Sequence, residues 1–284
     1  MADNSPLLEV CDLSVEIHAL DGTDRVLDHV NISVQPGEAM GLVGESGSGK
    51  TMTLKAIMGL LPMNARVVSG EVQFRGRDVL HGGKHQTYLR TIRGQGISMV
   101  FQEPSVALNP VLRVGRQITD AIAHRRGLSR RDARKLAIQL MDQVGIGEPE
   151  TRVDAYPFEL SGGMRQRVMI AAAIACEPEM LLCDEPTTAL DVTVQAQIIA
   201  LFASLQKERH LGLLYVTHDL AVVAQLCTSL SVMRVGQILE SGRLQAILDD
   251  PQHEYTRSLL LATPRIDGEK RVIGTPVLQG GDGR

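Results

Sequence analysis

Residues 44–51 read G-E-S-G-S-G-K-T, between the short apolar segment 39–43 and a segment with helical periodicity at 51–61, which Pro62 ends. A glycine-rich turn between a buried strand and a helix binds phosphate, because its N–H groups surround the anion and the positive end of the helix faces it. We expect Lys50 to reach the β- and γ-phosphates of a nucleotide and Thr51 to bind Mg²⁺. The rest of the predicted cradle is formed by Gly44, Glu45, Ser46, Gly47, Ser48 and Gly49.

A second apolar segment, M-L-L-C-D-E at 180–185, ends in two neighbouring carboxylates. A strand that ends in Asp184 places this side chain at the edge of the sheet, where it would hold the hydration shell of Mg²⁺. Glu185 follows at the position from which a general base would orient an attacking water. Together with Lys50 and Thr51, these residues predict a site that hydrolyses a nucleotide.

The pattern outside these motifs predicts an α/β fold. Apolar and polar residues alternate at 7–17 and 30–34, which is typical of strands in an antiparallel layer. Apolar strands are predicted at 39–43, 97–101, 180–183 and 213–217, and helices between them indicate a mainly parallel sheet. A terminal hairpin is expected at 229–240. Helical patterning dominates 105–163, with Ser129 as an N-cap, and predicts an inserted lobe. We expect one domain over 5–263, with a distinct C-terminal segment at 244–263 and a flexible tail at 264–284.

Composition excludes several classes of function. The net charge is -4 and no long block of one sign occurs, which argues against a nucleic-acid tail. The four cysteines lack the C-x-x-C spacing of a zinc site, and a reducing cytosol fits them best. No apolar stretch approaches the ~20 residues that span a bilayer.

Residues 160–167 read L-S-G-G-M-R-Q-R, and Gln102, Asp191 and His218 stand around this motif at matching spacings. With these motifs the chain resembles the nucleotide-binding subunits of ATP-binding cassette (ABC) proteins over about residues 7–263, which implies a P-loop NTPase fold of the RecA-like type. The resemblance implies that Ser161, Gly162 and Gly163 address ATP held by an opposing subunit. It also implies that Asp191 sets the interface between subunits, that Gln102 links Mg²⁺ or water to the lobe, and that His218 senses the γ-phosphate.

The adenine contact departs from the resemblance. The family usually stacks adenine on an aromatic side chain of the early β layer, but residues 13–30 contain no Phe, Tyr or Trp. His18, Ile17 and Val26 remain as candidates, with a weaker stacking contribution.

Three segments resemble one branch of the family, the oligopeptide, dipeptide and nickel importers: residues 101–118, 156–164 and 253–260. The resemblance implies a second ATPase subunit, two transmembrane permeases and, indirectly, an extracytoplasmic solute-binding protein, with this chain at the cytoplasmic face of the inner membrane. The second subunit is expected to be a paralogue, and a homodimer stays open. The cargo, a peptide or a nickel or other metal chelate, is selected by other chains. No iron–sulfur cluster is expected, since no cysteine follows Cys227.

The alternative from another class is a non-transport ABC ATPase that acts on nucleic acid or ribosomes. Chromosome-type members separate the segments of Lys50 and Asp184 by very long coiled coils, and translation-type members fuse two cassettes in one chain. This chain has one cassette and a short separation. We therefore expect no nucleic-acid partner.

Overall fold

The computed structural model describes residues 5–19, 22–80, 84–188 and 190–262. The predicted tail, residues 264–284, lies outside the described residues. The strands are β1 (Leu8–Ala19), β2 (Gly22–Val34), β3 (Ala39–Val43), β4 (Ala65–Phe74), β5 (Arg77–Asp78), β6 (Ile97–Val100), β7 (Met180–Asp184), β8 (Gly212–Thr217), β9 (Ser229–Arg234) and β10 (Gln237–Arg243).

A six-stranded sheet in the order β10-β9-β3-β8-β7-β6 forms the centre. Its neighbours run parallel except β10, which pairs antiparallel with β9 as the predicted hairpin. Every residue of β3, β6, β7 and β8 is buried, as expected for parallel strands covered on both faces. The carboxyl ends of β3, β7 and β8 therefore meet at one edge, which carries the predicted site.

A second, antiparallel sheet has the order β2-β1-β4-β5 and confirms the expected early layer. Its apolar face packs on the central sheet and on the helix that follows β3, around Leu13, Leu27, Leu54 and Phe74. Strand β2 begins at Gly22, well before the expected strand at 30–34. Apolar and polar residues do not alternate at its start, so the sequence gives no sign of a strand there. These residues form a strand because they pair with β1.

The helices are α1 (Lys50–Ile57), α2 (Lys84–Ile92), α3 (Pro104–Ala107), α4 (Val114–Arg126), α5 (Arg130–Gln143), α6 (Pro149–Arg152), α7 (Gly162–Ile174), α8 (Val192–Arg209), α9 (Leu220–Leu226), α10 (Leu244–Asp249) and α11 (Glu254–Ala262). Between β6 and α7 the described regular elements are all helices, and the Ser129 hydroxyl accepts the Asp132 N–H as expected. No helix in the described ranges is both long and apolar enough to cross a membrane. The α/β fold class with its helical lobe is confirmed.

One expectation about the helices was wrong, and two helices were not predicted. Helix α1 ends at Ile57 instead of 61, because Gly59 takes a positive φ of 58° and the Leu60 N–H turns back to the Lys55 carbonyl at 2.7 Å. Helices α2 and α9 were not predicted from the sequence. Helix α2 follows a stretch with two adjacent glycines, which is typical of a loop, and α9 is a short apolar run whose periodicity is ambiguous.

Candidate functional site

The glycine loop joins β3 to α1 at the carboxyl edge of the central sheet. Gly47 and Gly49 take positive φ values of 79° and 110°, which favour glycine. Gly44 lies so close to β9 that a Cβ would collide with the Met233 carbonyl. The loop therefore has the conformation that a phosphate cradle at a helix N-terminus requires.

Lys50 is buried beneath this loop, with 5% of its surface exposed. Its Nζ donates to the carbonyls of Gly44 and Glu45, both at 2.8 Å, and lies 3.8 Å from Glu185 Oε1. Burial lowers the pKa of Lys50, and the carboxylates of Glu185 and Asp184 oppose that shift. The ammonium thus stands between the glycine loop and the end of β7.

Thr51 and Asp184 meet across the sheet edge, where Thr51 Oγ1 donates to Asp184 Oδ1 at 2.9 Å. Asp184 is buried, which raises its pKa, while the Thr51 hydrogen bond lowers it. The hydroxyl and the carboxylate lie side by side and both offer oxygen ligands, which Mg²⁺ prefers. These two side chains fit the predicted metal ion.

Glu185 and His218 stand together beyond Asp184. Glu185 Oε2 lies 3.1 Å from His218 Nδ1 and accepts the Thr188 hydroxyl at 2.9 Å. The Glu185 backbone takes a positive φ of 42°, uncommon for a residue with a side chain. Adjacent strands β7 and β8 end here, which brings residues distant in sequence within hydrogen-bonding reach.

A cleft of about 690 Å³ contains most of the predicted residues. It is lined by Glu45, Ser46, Gly47, Gly49, Lys50, Thr51, Gln102, Glu185 and His218 from the predicted set, and by Arg25, Val26, Met52, Val235 and Gly236. Of the three adenine candidates only Val26 lines the cleft, and His18 Nδ1 bonds the Thr23 hydroxyl instead. Arg25 was missed, because a single arginine in a polar stretch carries no sequence signal for this position.

The residues predicted to face an opposing subunit, Ser161, Gly162, Gly163 and Asp191, form what we call the signature surface and are held differently. Ser161 is the exposed N-cap of α7, and its hydroxyl accepts the Met164 N–H at 3.3 Å. Asp191 is the exposed N-cap of α8, and its Oδ1 accepts the Val194 N–H at 2.9 Å. Neither residue lines the cleft of Lys50. The structure thus divides the predicted site residues into a cleft and a separate surface, where Gly162 and Gly163 follow Ser161.

Known proteins share these features. A family model described as ABC transporter matches residues 27–188, more than half of the chain. The chain belongs to the ABC transporter family. This ABC protein is 45% identical over 281 residues to the peptidoglycan transport ATP-binding protein YejF of Agrobacterium fabrum. The alignment covers 99% of the chain and 51% of that protein. It is 46% identical over 269 residues to the dipeptide transport ATP-binding protein DppD of Escherichia coli. That alignment covers 95% of the chain and 82% of the relative.

The ABC protein therefore spans about half the length of the first relative and most of the second. It also resembles the dimeric structure of a post-hydrolysis ATP-binding cassette bound to ADP and Pi, with 27% identity, a TM-score of 0.75 and coverage of 84% of this chain and 98% of that one. These matches confirm the expected family and the oligopeptide and dipeptide branch. The chain is an ABC ATPase, which binds ATP and hydrolyses it.

Proposed function

We propose that this ABC ATPase powers the uptake of oligopeptides or dipeptides as one subunit of a multi-chain importer. The observation that carries the proposal is the hydrolytic cluster of Lys50, Glu185 and His218 in a chain whose curated relatives are peptide transport ATP-binding proteins. A role on nucleic acid or ribosomes is not favoured by these relatives. The experiment below distinguishes a peptide cargo from a nickel or other metal chelate.

In this proposal the cleft holds the nucleotide by its phosphates. Backbone N–H groups of the glycine loop and Lys50 bind the phosphate oxygens, because they present positive charge at the N-terminus of α1. Thr51, Asp184 and Gln102 would hold Mg²⁺, which neutralises phosphate charge when bound. Val26 and Arg25 also line the cleft and would contact the base.

Glu185 acts as the general base in the proposed mechanism. Its carboxylate accepts a hydrogen bond from Thr188 and faces His218, so its orientation is set by both neighbours. From this position it would take the proton of a water directed at the γ-phosphate. His218 is exposed on one side and would contact the γ-phosphate, which makes it the sensor of phosphate loss.

The signature surface completes the site of a second ATPase subunit. The exposed N-terminus of α7 presents N–H groups and a helix dipole to an anion, while the phosphates of this chain's own nucleotide lie at Lys50. Two subunits in head-to-tail arrangement would enclose two ATP molecules, and Asp191 would stand at their interface. The partner is a paralogous ATPase or a second copy of this chain.

An exposed apolar surface supports the proposed contact with permeases. Phe101, Val106 and Val111 follow β6, and all three are exposed. Phe158 is also exposed. Its segment is joined to the start of α4, where the Val114 N–H donates to the Ala155 carbonyl. Exposed apolar side chains between a core and a lobe mark a protein-binding surface. We assign it to a cytoplasmic helix of each permease, which would hold the chain at the inner membrane.

The test is solute-stimulated ATP hydrolysis in the assembled complex with its permeases and solute-binding protein. A panel of dipeptides, longer peptides and Ni²⁺ with a chelator is added, and phosphate release is measured. We expect stimulation by peptides, and none in a complex in which Glu185→Gln disables this chain's composite site and the other site is disabled as well. Stimulation by the nickel chelate alone would overturn the peptide assignment, and hydrolysis that no solute changes would overturn the importer assignment.

A further inference from the structure

The C-terminal segment reaches back to the glycine loop. Tyr255, the second residue of α11, is buried, and its hydroxyl accepts the N–H of Glu45 at 3.2 Å across 210 positions of sequence. The Arg234 guanidinium covers the ring at 4.7 Å from its centroid. The segment 253–260, which marked the branch of the family, therefore contacts the nucleotide loop directly.

The contact falls on one particular peptide group, the one between Gly44 and Glu45. Its N–H donates to Tyr255, and its C=O, which belongs to Gly44, accepts Lys50 Nζ at 2.8 Å. A trans peptide is planar and its N–H and C=O point in opposite directions. Fixing the N–H at Tyr255 therefore aims the carbonyl at Lys50, and the polarised peptide is a better acceptor.

Tyr255 itself is held by a chain of hydrogen bonds. Glu240 on β10 accepts the N–H groups of Gln252 and His253 at 2.8 and 3.1 Å. His253 Nδ1 then accepts the Tyr255 N–H at 3.0 Å. A tyrosine hydroxyl is protonated at neutral pH, and burial raises the pKa of Tyr255 further. The hydroxyl is thus presented to the loop by a defined support.

We propose that Tyr255 is a positioning residue of the nucleotide site, which orients the Gly44–Glu45 peptide and, through it, the ammonium of Lys50. The proposal rests on the proposed function, since it assumes that Lys50 binds the phosphates of ATP. It gives the C-terminal segment a role in ATP affinity.

The experiment compares Tyr255→Phe with Tyr88→Phe in the full chain, by calorimetric titration with MgATP. The hydroxyl of Tyr88 donates to the Phe74 carbonyl at 3.1 Å, so the control loses a similar bond outside the cleft. We expect Tyr255→Phe to raise the Kd for ATP roughly three- to tenfold, as for the loss of one hydrogen bond. We expect Tyr88→Phe to leave this Kd unchanged. An unchanged Kd in Tyr255→Phe, or an equal rise in the control, overturns the proposal.

Lys50→Ala separates the two proposals. Retained ATP affinity in Lys50→Ala overturns the proposed nucleotide site, whereas lost affinity there with an unchanged Tyr255→Phe overturns only the role of Tyr255. In the double variant, titrated at MgATP concentrations high enough to measure the weakened Kd of Lys50→Ala, we expect Tyr255→Phe to add no further rise, because the tyrosine acts through Lys50. An undiminished effect in the double variant would contradict this route.

A measurement on the unaltered chain does not depend on how the variants fold. Hydrogen exchange followed by NMR should show the Glu45 amide protected in the nucleotide-free protein, because it donates to a buried hydroxyl. Exchange as fast as that of an exposed loop amide would overturn the proposal.

Discussion

The cleft around Lys50 and the surface around Ser161 differ in how their residues are held. In the cleft, buried Lys50 and Asp184 contact Glu185 and Thr51, so each side chain has a partner within the same chain. Ser161 and Asp191 are exposed and hydrogen-bond only to the first turn of their own helices in the described structure. The comparison teaches that one chain brings the cleft residues together by itself, whereas its exposed signature residues are free to take the role proposed for them at a second subunit. The predictions below separate these halves.

The largest effect is expected for Glu185→Gln. Glutamine keeps the shape of the side chain but cannot take a proton, so turnover at this chain's composite site should fall roughly 10²–10⁴-fold while ATP still binds. Phosphate release and equilibrium binding of ATP measure the two effects.

The matched control is Glu208→Gln, which alters a carboxylate on α8 that accepts the Ser204 hydroxyl much as Glu185 accepts Thr188. The control should hydrolyse ATP at the wild-type rate. Unchanged hydrolysis by Glu185→Gln in a homodimer, or in a heterodimer whose other site is disabled, would refute the role of Glu185.

Ser161→Asp addresses the signature surface. Aspartate caps a helix as well as serine, so the melting temperature should hold, but its charge would repel a γ-phosphate at the α7 N-terminus. We expect turnover in the assembled dimer to fall roughly 10²–10³-fold, as for loss of an electrostatic stabiliser. ATP affinity of the isolated chain should not change. Weaker binding of ATP by the isolated chain would show that Ser161 and Lys50 serve the same nucleotide.

Two adjacent glycines test the packing behind that surface. A Cβ at Gly163 would lie 2.9 Å from Val194 Cγ1, whereas one at Gly162 would meet nothing within 4 Å. Gly163→Ala should destabilise the chain by ~1–3 kcal/mol through overpacking, measured by urea unfolding. Gly162→Ala is the control and should not destabilise it. Adding Val194→Ala should restore the stability of Gly163→Ala, and a failure to do so would refute this contact as the cause.

The smallest effect is expected for Asp191. Asp191→Ala removes the N-cap of α8 and should lower the free energy of unfolding by ~1 kcal/mol, while Asp191→Asn keeps a capping oxygen and should cost less. Thermal unfolding of the isolated chain measures both. Equal destabilisation by the two substitutions would contradict the capping role. A loss of turnover that the loss of stability does not account for would then reflect the interface between subunits.

The sequence predicted the cleft well where its chemistry is local. The loop of residues 44–51 adopts its conformation from neighbouring glycines, and Asp184 and Glu185 follow a strand that is apolar throughout. Prediction failed where a contact depends on distant pairing. The start of β2 is a strand because β1 pairs with it, and Arg25 reaches the cleft only through that pairing.

By itself the sequence determined the family, and it predicted the phosphate loop and the residues of hydrolysis, because glycines, carboxylates and a histidine carry that chemistry in short motifs. Only the tertiary structure decided which of them meet. It placed Glu185 against His218, separated Ser161 from the cleft, and brought Tyr255 to the Glu45 peptide. The physical reason is that strand order and long-range packing fix these distances, and no local pattern encodes them.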